Sequence, residues 1–264
     1  MNARKSKGVF MQLLEELFRV QEDGFHFEAF SRLHIVLILV MFLGAYWIYR
    51  KREDIRKNQD LDTWVRGVLI TMILFHQVTF LYFSFFIRTD GLASGLPLYT
   101  CRMALWTALL ALISKKGAFK GITIYWGLIG GILPMILPDL MAYSWPHITN
   151  FNYFLTHYSI FWASIYFLGV DQYQFNQDDL NFSLAFVNLF LVLCLFANKF
   201  FYTNYAYLSA SPVLTTSLES MPRIFYYALV FLAYNLFIVL VHWIFINKEE
   251  LVVKFSQWKE KKAA

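Results

Sequence analysis

Seven apolar runs, each close to the length a helix needs to cross a hydrocarbon layer, constrain this chain more than any other feature. A bilayer core about 30 Å thick takes roughly 20 residues of α-helix, and a backbone in that medium must satisfy its own hydrogen bonds. The runs fall at about 33–49, 65–86, 96–114, 122–140, 153–170, 182–201 and 224–246. Composition agrees: 58% of the 264 residues are hydrophobic, 20% aromatic and only 16% charged, too apolar for a water-soluble domain of this size. The chain therefore reads as all-α, a polytopic transmembrane helical bundle of about seven spans. One transmembrane domain is expected over 1–264, with a surface helix and lead-in at 1–31, the bundle at 32–246 and a basic cytoplasmic tail at 247–264.

The net charge of +5 does not indicate a nucleic-acid partner, because the cations gather in loops between the apolar runs. Arg50, Lys51, Arg52, Arg56 and Lys57 follow the first run, and Lys115, Lys116 and Lys120 follow the third. Lys248, Lys254, Lys259, Lys261 and Lys262 follow the last. These segments share the cytoplasmic side if the N-terminus lies outside and the C-terminus inside, which places the chain as a multi-pass protein of the cell membrane. The loop at about 171–181 is the exception, with Asp171, Asp178 and Asp179 and no cation. Arg4, Lys5 and Lys7 are followed by Glu15, Glu16 and Arg19, so a removable signal peptide is not expected. Val9, Phe10, Leu13, Leu14, Leu17 and Phe18 recur at helical spacing and predict a short amphipathic helix before the first span.

The fourth run contains Gly127, Gly130, Gly131, Pro134 and Pro138. Close helix packing is the simpler reading, and a broken helix beside a cavity is the alternative. Ser94-Gly95-Leu96-Pro97 resembles a helix start with proline in its first turn.

Ionisable groups in hydrocarbon cost free energy, on the order of 2.5–3.5 kcal/mol for a central Arg or Asp, so those present need a reason. His76 and Gln77 fall inside the second run, Cys101 and Arg102 near the start of the third, Asp139 at the end of the fourth and His157 near the start of the fifth. Cys101 and His157 are expected roughly 6–8 Å below the same outer boundary. A thiol beside an imidazole is a nucleophile arrangement, which Arg102 or Asp139 would tune and His34 would join. Against this stand plain readings. A cysteine in an apolar helix behaves as a small hydrophobe, Cys194 above all; a buried histidine serves packing; an arginine snorkels. The two cysteines have no CxxC spacing, so neither a metal site, a cofactor nor a disulfide is expected.

Several strings together resemble the YwaF family of bacterial integral membrane proteins, which is distantly similar to the eukaryotic transmembrane protein 164 family. They are Leu96-Pro97-Leu98 through Cys101-Arg102, Pro138-Asp139, Asn150-Phe151 with Phe154 and His157, and Thr203-Asn204-Tyr205-Ala206-Tyr207-Leu208 with Pro212 beyond. The resemblance implies a seven-span membrane protein. It also implies, from the eukaryotic relatives, a lipid acyltransferase with a membrane-embedded cysteine on the helix opened by this proline and a histidine on a later helix. His157 matches that histidine. Aligned on Pro97, the family's cysteine falls at Leu98, and Cys101 lies three residues further on the same helix face. Tyr99 stands where the bacterial pattern often has histidine.

The expected function is action on membrane lipids as an acyltransferase or acyl hydrolase, with Cys101 and His157 catalytic and His76, Gln77, Arg102, Asp139, Asn204 and Tyr205 supporting or binding. The alternatives are a non-enzymatic protein that binds or transports a lipid or small solute, with Arg88, Asn204 and Tyr205 as an outer lid, or a membrane scaffold. Membrane lipids are the expected partners.

Overall fold

A computed structural model describes residues 8–88, 91–211, 218, 220–251, 253 and 256. Arg4, Lys5, Lys7, Pro212, Lys254, Lys259, Lys261 and Lys262 lie outside the described residues. Helices occupy all seven expected runs, and among the described residues there is no strand. The short α1 (Val9–Leu17) precedes the bundle, which comprises α2 (Arg32–Arg50), α4 (Gln59–Tyr82), α6 (Thr100–Ser114), α7 (Gly117–Ile136), α8 (Ile148–Gly169), α9 (Gln177–Phe201) and α10 (Arg223–Ile246). Two further pieces lie in loops, α3 (Arg52–Lys57) and α5 (Gly91–Ser94). Helix α4 runs on through a π-turn at Phe83–Ile87. Among the described residues five helices are long and apolar enough to cross a membrane: α2, α4 with its π-turn, α7, α9 and α10.

The two left out explain the architecture. Helix α6 is short, at 15 residues. Helix α8 is long but carries Asn150, Asn152, Thr156, His157, Ser159 and Ser164, and it is the most enclosed element, with 15 of its 22 residues buried. It packs against α2, α4, α6 and α7. Polar side chains are tolerable at such a position because neighbouring helices, not lipid, surround them. Helix α10 shows the opposite balance. It has the highest hydropathy of the five, only four of its 24 residues are buried, and Leu229, Leu232, Leu236 and Leu240 point outward.

Glycine sets the closest approach in the bundle. A Cβ at Gly127 would fall 2.4 Å from Ser164 Oγ and 2.7 Å from the Ile160 carbonyl, and one at Gly131 would fall 2.8 Å from Phe161 Cβ. Helix α7 continues unbroken through Pro134 to Ile136, so the glycines serve packing rather than a broken helix.

The start of the third span differs from expectation. Helix α6 begins at Thr100, with Tyr99 as its N-cap, and Gly95–Tyr99 is non-helical. Pro97 therefore precedes the helix instead of opening it. The non-helical stretch keeps its carbonyls occupied from outside: Leu96 O accepts from Arg102 Nη1 at 3.4 Å, and Leu98 O from the Cys194 thiol at 3.5 Å.

At the Asp171 end of the bundle, charges tie three helices. Arg66 of α4 lies 3.6 Å from Asp62 and 3.4 Å from Asp171, and Lys120 of α7 lies 2.6 Å from Asp171. Tyr166 of α8 donates to Asp62 and receives an Arg66 N–H at 2.6 Å. Two cations meet two anions, so no net charge is buried.

At the other end, the lead-in to α2 is laced to the α7–α8 loop. Arg19 donates to the Ser144 carbonyl at 2.6 Å and the Pro146 carbonyl at 3.0 Å, while Asp23 accepts from the Ser144 amide and hydroxyl. Those Ser144 bonds, with Arg19, hold the Asp23 carboxyl well below the usual range. His147, fully buried, stacks on Tyr143 at 3.7 Å and uses both ring nitrogens, on the Arg19 carbonyl and on Thr149. Burial pushes its pKa down to about 4, with the nearby Arg19 charge adding to the effect against the opposing hydrogen bond to the Arg19 carbonyl.

Two outcomes follow for stability. Gly127→Ala lowers it by about 1–3 kcal/mol, whereas Gly67→Ala, with nothing within 4 Å of an added Cβ, leaves it unchanged or raises it by up to about 1 kcal/mol, read from unfolding in detergent. Because the folded His147 pKa lies below the unfolded 6.5, its contribution is complete above that value and is lost as pH falls from 6.5 towards 4. His147→Gln flattens that part of a pH–stability curve, while the Asp23 contribution disappears only in more acid solution.

Candidate functional site

Helix α7 ends in an accounting problem. In a continuous helix the Gly130 carbonyl accepts from residue 134 and the Pro134 carbonyl from residue 138, but both of those residues are proline and have no N–H. Other side chains supply the donors. His157 Nδ1 bonds the Gly130 carbonyl at 3.0 Å, Tyr153 donates to the Pro134 carbonyl at 2.7 Å, and His34 Nε2 bonds the Met135 carbonyl at 2.8 Å. The Tyr153 hydroxyl in turn accepts from the Asp139 amide at 3.2 Å.

A carbonyl only accepts, so these contacts assign tautomers. His34 is a structural brace: Nε2–H donates to Met135 while Nδ1 accepts the Phe30 amide at 2.7 Å. His157 carries its proton on Nδ1, which leaves Nε2 with a free lone pair. A histidine oriented through one nitrogen and basic at the other is the general-base arrangement.

Cys101 is the second residue of α6, half-buried, and its thiol faces the backbone N–H groups of Cys101 and Arg102. Amides of the first turn have no partner within the helix. The thiol lies within electrostatic reach of Tyr99, Tyr153, Tyr207 and Tyr234, side chains from the α6 lead-in, α8, the α9–α10 connection and α10. Asp139, in the loop after α7, shares the first three of these neighbours.

The remaining candidates form a chain of rings and one cation. The Arg102 guanidinium sits 3.8 Å from the Phe80 ring centre and 4.9 Å from that of Tyr99. Phe80 stacks on His76 with centres 5.7 Å apart, and Tyr99 meets Tyr205 edge-on at 5.0 Å. His76 lies within electrostatic reach of both Arg102 and His157. His76 Nδ1 and Gln77 Nε2 are buried and make no hydrogen bond. Unpartnered polar atoms at this depth are what a polar ligand or ordered water would satisfy. Asn204 is used within its own loop, accepting from the Ser209 and Ala210 amides at 2.9 and 3.0 Å. Tyr205 donates to the Ala93 carbonyl at 2.8 Å.

The structure thus gathers Cys101, Arg102, Asp139 and Tyr205 through their tyrosine neighbours, and His76 with His157. Among the described residues no hydrogen bond joins Cys101 to His157. Their depths differ from expectation, since α6 starts later and α8 earlier: Cys101 stands at the helix start, and His157 is the tenth residue of α8, about 14 Å along it. Tyr153 lies within electrostatic reach of Cys101 and in edge-on ring contact with His157 at 4.7 Å.

Tyr153 and Tyr207 were not singled out from sequence. Tyr153 lies four residues before His157 on the same helix face, a spacing that can be read in advance. Ala206 and Tyr207 adopt left-handed backbone angles, φ 52° and 56°, costing of order 1–3 kcal/mol each, and nothing in their identity announces it. Among the described residues no group of His, Cys, Asp and Glu is arranged to hold a metal ion. Tyr153→Phe leaves the Pro134 carbonyl without its donor and lowers stability by about 1–3 kcal/mol, read from thermal unfolding; Tyr82→Phe, on the exposed face of α4, serves as the neutral control.

Comparison with known proteins finds no curated protein and no solved structure that matches the chain. The family model described as the TMEM164 family matches residues 29–246, a stretch that takes in every helix of the bundle from α2 to α10. Together with the apolar helices, that match identifies a multi-pass membrane protein that belongs to the TMEM164 family.

Proposed function

We propose that the chain acts on membrane lipids as an acyltransferase or acyl hydrolase, with Cys101 as nucleophile and His157 as base. The observation that carries this reading is the Gly130–His157 contact, which holds the imidazole with its basic Nε2 free. The cysteine at the opening turn of α6 and the shared neighbour Tyr153 support it. In the chemistry implied, the thiol proton passes to His157 Nε2 as sulfur attacks an ester carbonyl. The departing alkoxide takes that proton, leaving an acyl thioester. Water or a lipid hydroxyl then cleaves the thioester, giving up its own proton through His157 and restoring the thiol. The two side chains must approach directly or through one water, so the lipid-bound form brings α6 and α8 closer around Tyr153.

The same proposal sets seven spans in a cell membrane with the N-terminus outside and the C-terminus inside, kinship to the bacterial YwaF proteins, and membrane lipids as partners. A second reading, binding or transport of a lipid or small solute without covalent change, is favoured by the unpartnered His76 and Gln77.

Purified protein incubated with acyl-labelled phospholipids is expected to release or transfer label, and Cys101→Ser or His157→Ala to lower the rate by roughly 10³-fold. Mass spectrometry of the wild type quenched during turnover is expected to find an acyl adduct on Cys101. Unmodified lipids with the wild type, or full activity in Cys101→Ser, reject the enzyme; ligand-dependent thermal stabilisation without modification selects the second reading.

A further inference from the structure

A second site lies on the lead-in to α2, away from the cysteine. Phe25, Phe27, Glu28 and Trp145 line an open cavity of about 360 Å³, a size suited to a small headgroup. It stands immediately before the first residue of α2, a helix apolar enough to span, so its mouth falls where the span meets the aqueous phase. Aromatic rings favour that layer.

Charge defines what the cavity takes. Glu28 is the one carboxylate among its lining residues, which include His26, and no lysine or arginine lines it. Asp23 and Glu16 pair with Arg19 and Glu22 with Arg88, whereas Glu28 is in no ion pair among the described residues. Trp145 contributes a buried indole N–H that has no acceptor. A free carboxylate among ring faces attracts an ammonium ion, and an indole N–H without an acceptor suits a phosphate oxygen.

We propose that this cavity binds the headgroup of a zwitterionic phospholipid, with its ammonium against Phe25, Phe27 and Glu28 and a phosphodiester oxygen on Trp145 Nε1. The site holds the protein at the headgroup layer whatever reaction the bundle performs, and it draws on neither Cys101 nor His157.

The test uses the full chain in nanodiscs of anionic phosphatidylglycerol, doped with phosphatidylcholine or phosphatidylethanolamine, with bound lipid counted by native mass spectrometry. The wild type is expected to retain either zwitterionic lipid about tenfold more strongly than phosphatidylglycerol, and Glu28→Gln and Phe25→Ala, both on exposed residues, to lose that preference. Trp145→Phe, which keeps a ring and removes the donor, is expected to weaken it in part. Retention of choline lipid alone narrows the ammonium to a quaternary one. Soluble choline is expected to compete, and its neutral isostere 3,3-dimethyl-1-butanol to have no effect. Equal retention of all three lipids, an undiminished preference in Glu28→Gln, or equal competition by the neutral isostere overturns the proposal. Binding of free choline without any lipid preference overturns it as well.

Discussion

A carbonyl oxygen in hydrocarbon must find a hydrogen, and two prolines near the end of α7 deprive Gly130 and Pro134 of theirs. Much of the architecture around the candidate site answers that need. Tyr153 and His157 reach across from α8 to the two carbonyls, and His34 reaches from α2 to the next exposed one, at Met135. Three helices are joined at this point by polar contacts. The glycines one and two turns earlier allow the approach, because α8 lies almost on the α7 backbone at Gly127 and Gly131. Packing and hydrogen bonding thus make one device: small residues bring the helix in, and its ring side chains close the open end of its neighbour.

The same device links structure to chemistry. A histidine recruited to satisfy a carbonyl is fixed in orientation and tautomer, with its second nitrogen unused. The stabilising role and the basic role are therefore two ends of one ring. His34 shows the difference, since both of its nitrogens are engaged and it has nothing left to offer a substrate.

The helical bundle was legible because length and apolarity report directly on the solvent. Even the weakest element agreed with its pattern: α8 is rich in Asn, Ser and Thr, and it is enclosed by other helices. Helix ends were less legible. Pro97 looks like a first-turn proline, yet the stretch through Tyr99 stays non-helical, held by Arg102 in the first turn of α6 and by Cys194 of α9, which lies far along the chain. Gathering Cys101, Arg102 and Asp139 at one end followed from topology, whereas the depth of each group along its helix depended on boundaries the pattern leaves loose. The bond between Gly130 and His157 was present in the sequence as a proline four residues after a glycine, but its donor could come from any neighbouring helix. The left-handed Ala206 and Tyr207 had no signal, because their conformation is imposed by tertiary contacts.

The ion cluster of Asp62, Arg66, Lys120 and Asp171 lies about 21 Å along α4 from the Phe80 ring that covers Arg102. The two ends of the bundle are therefore held by different forces, one by paired charges that join α4, α7 and the end of α8, the other by ring contacts and by hydrogen bonds to the α7 carbonyls.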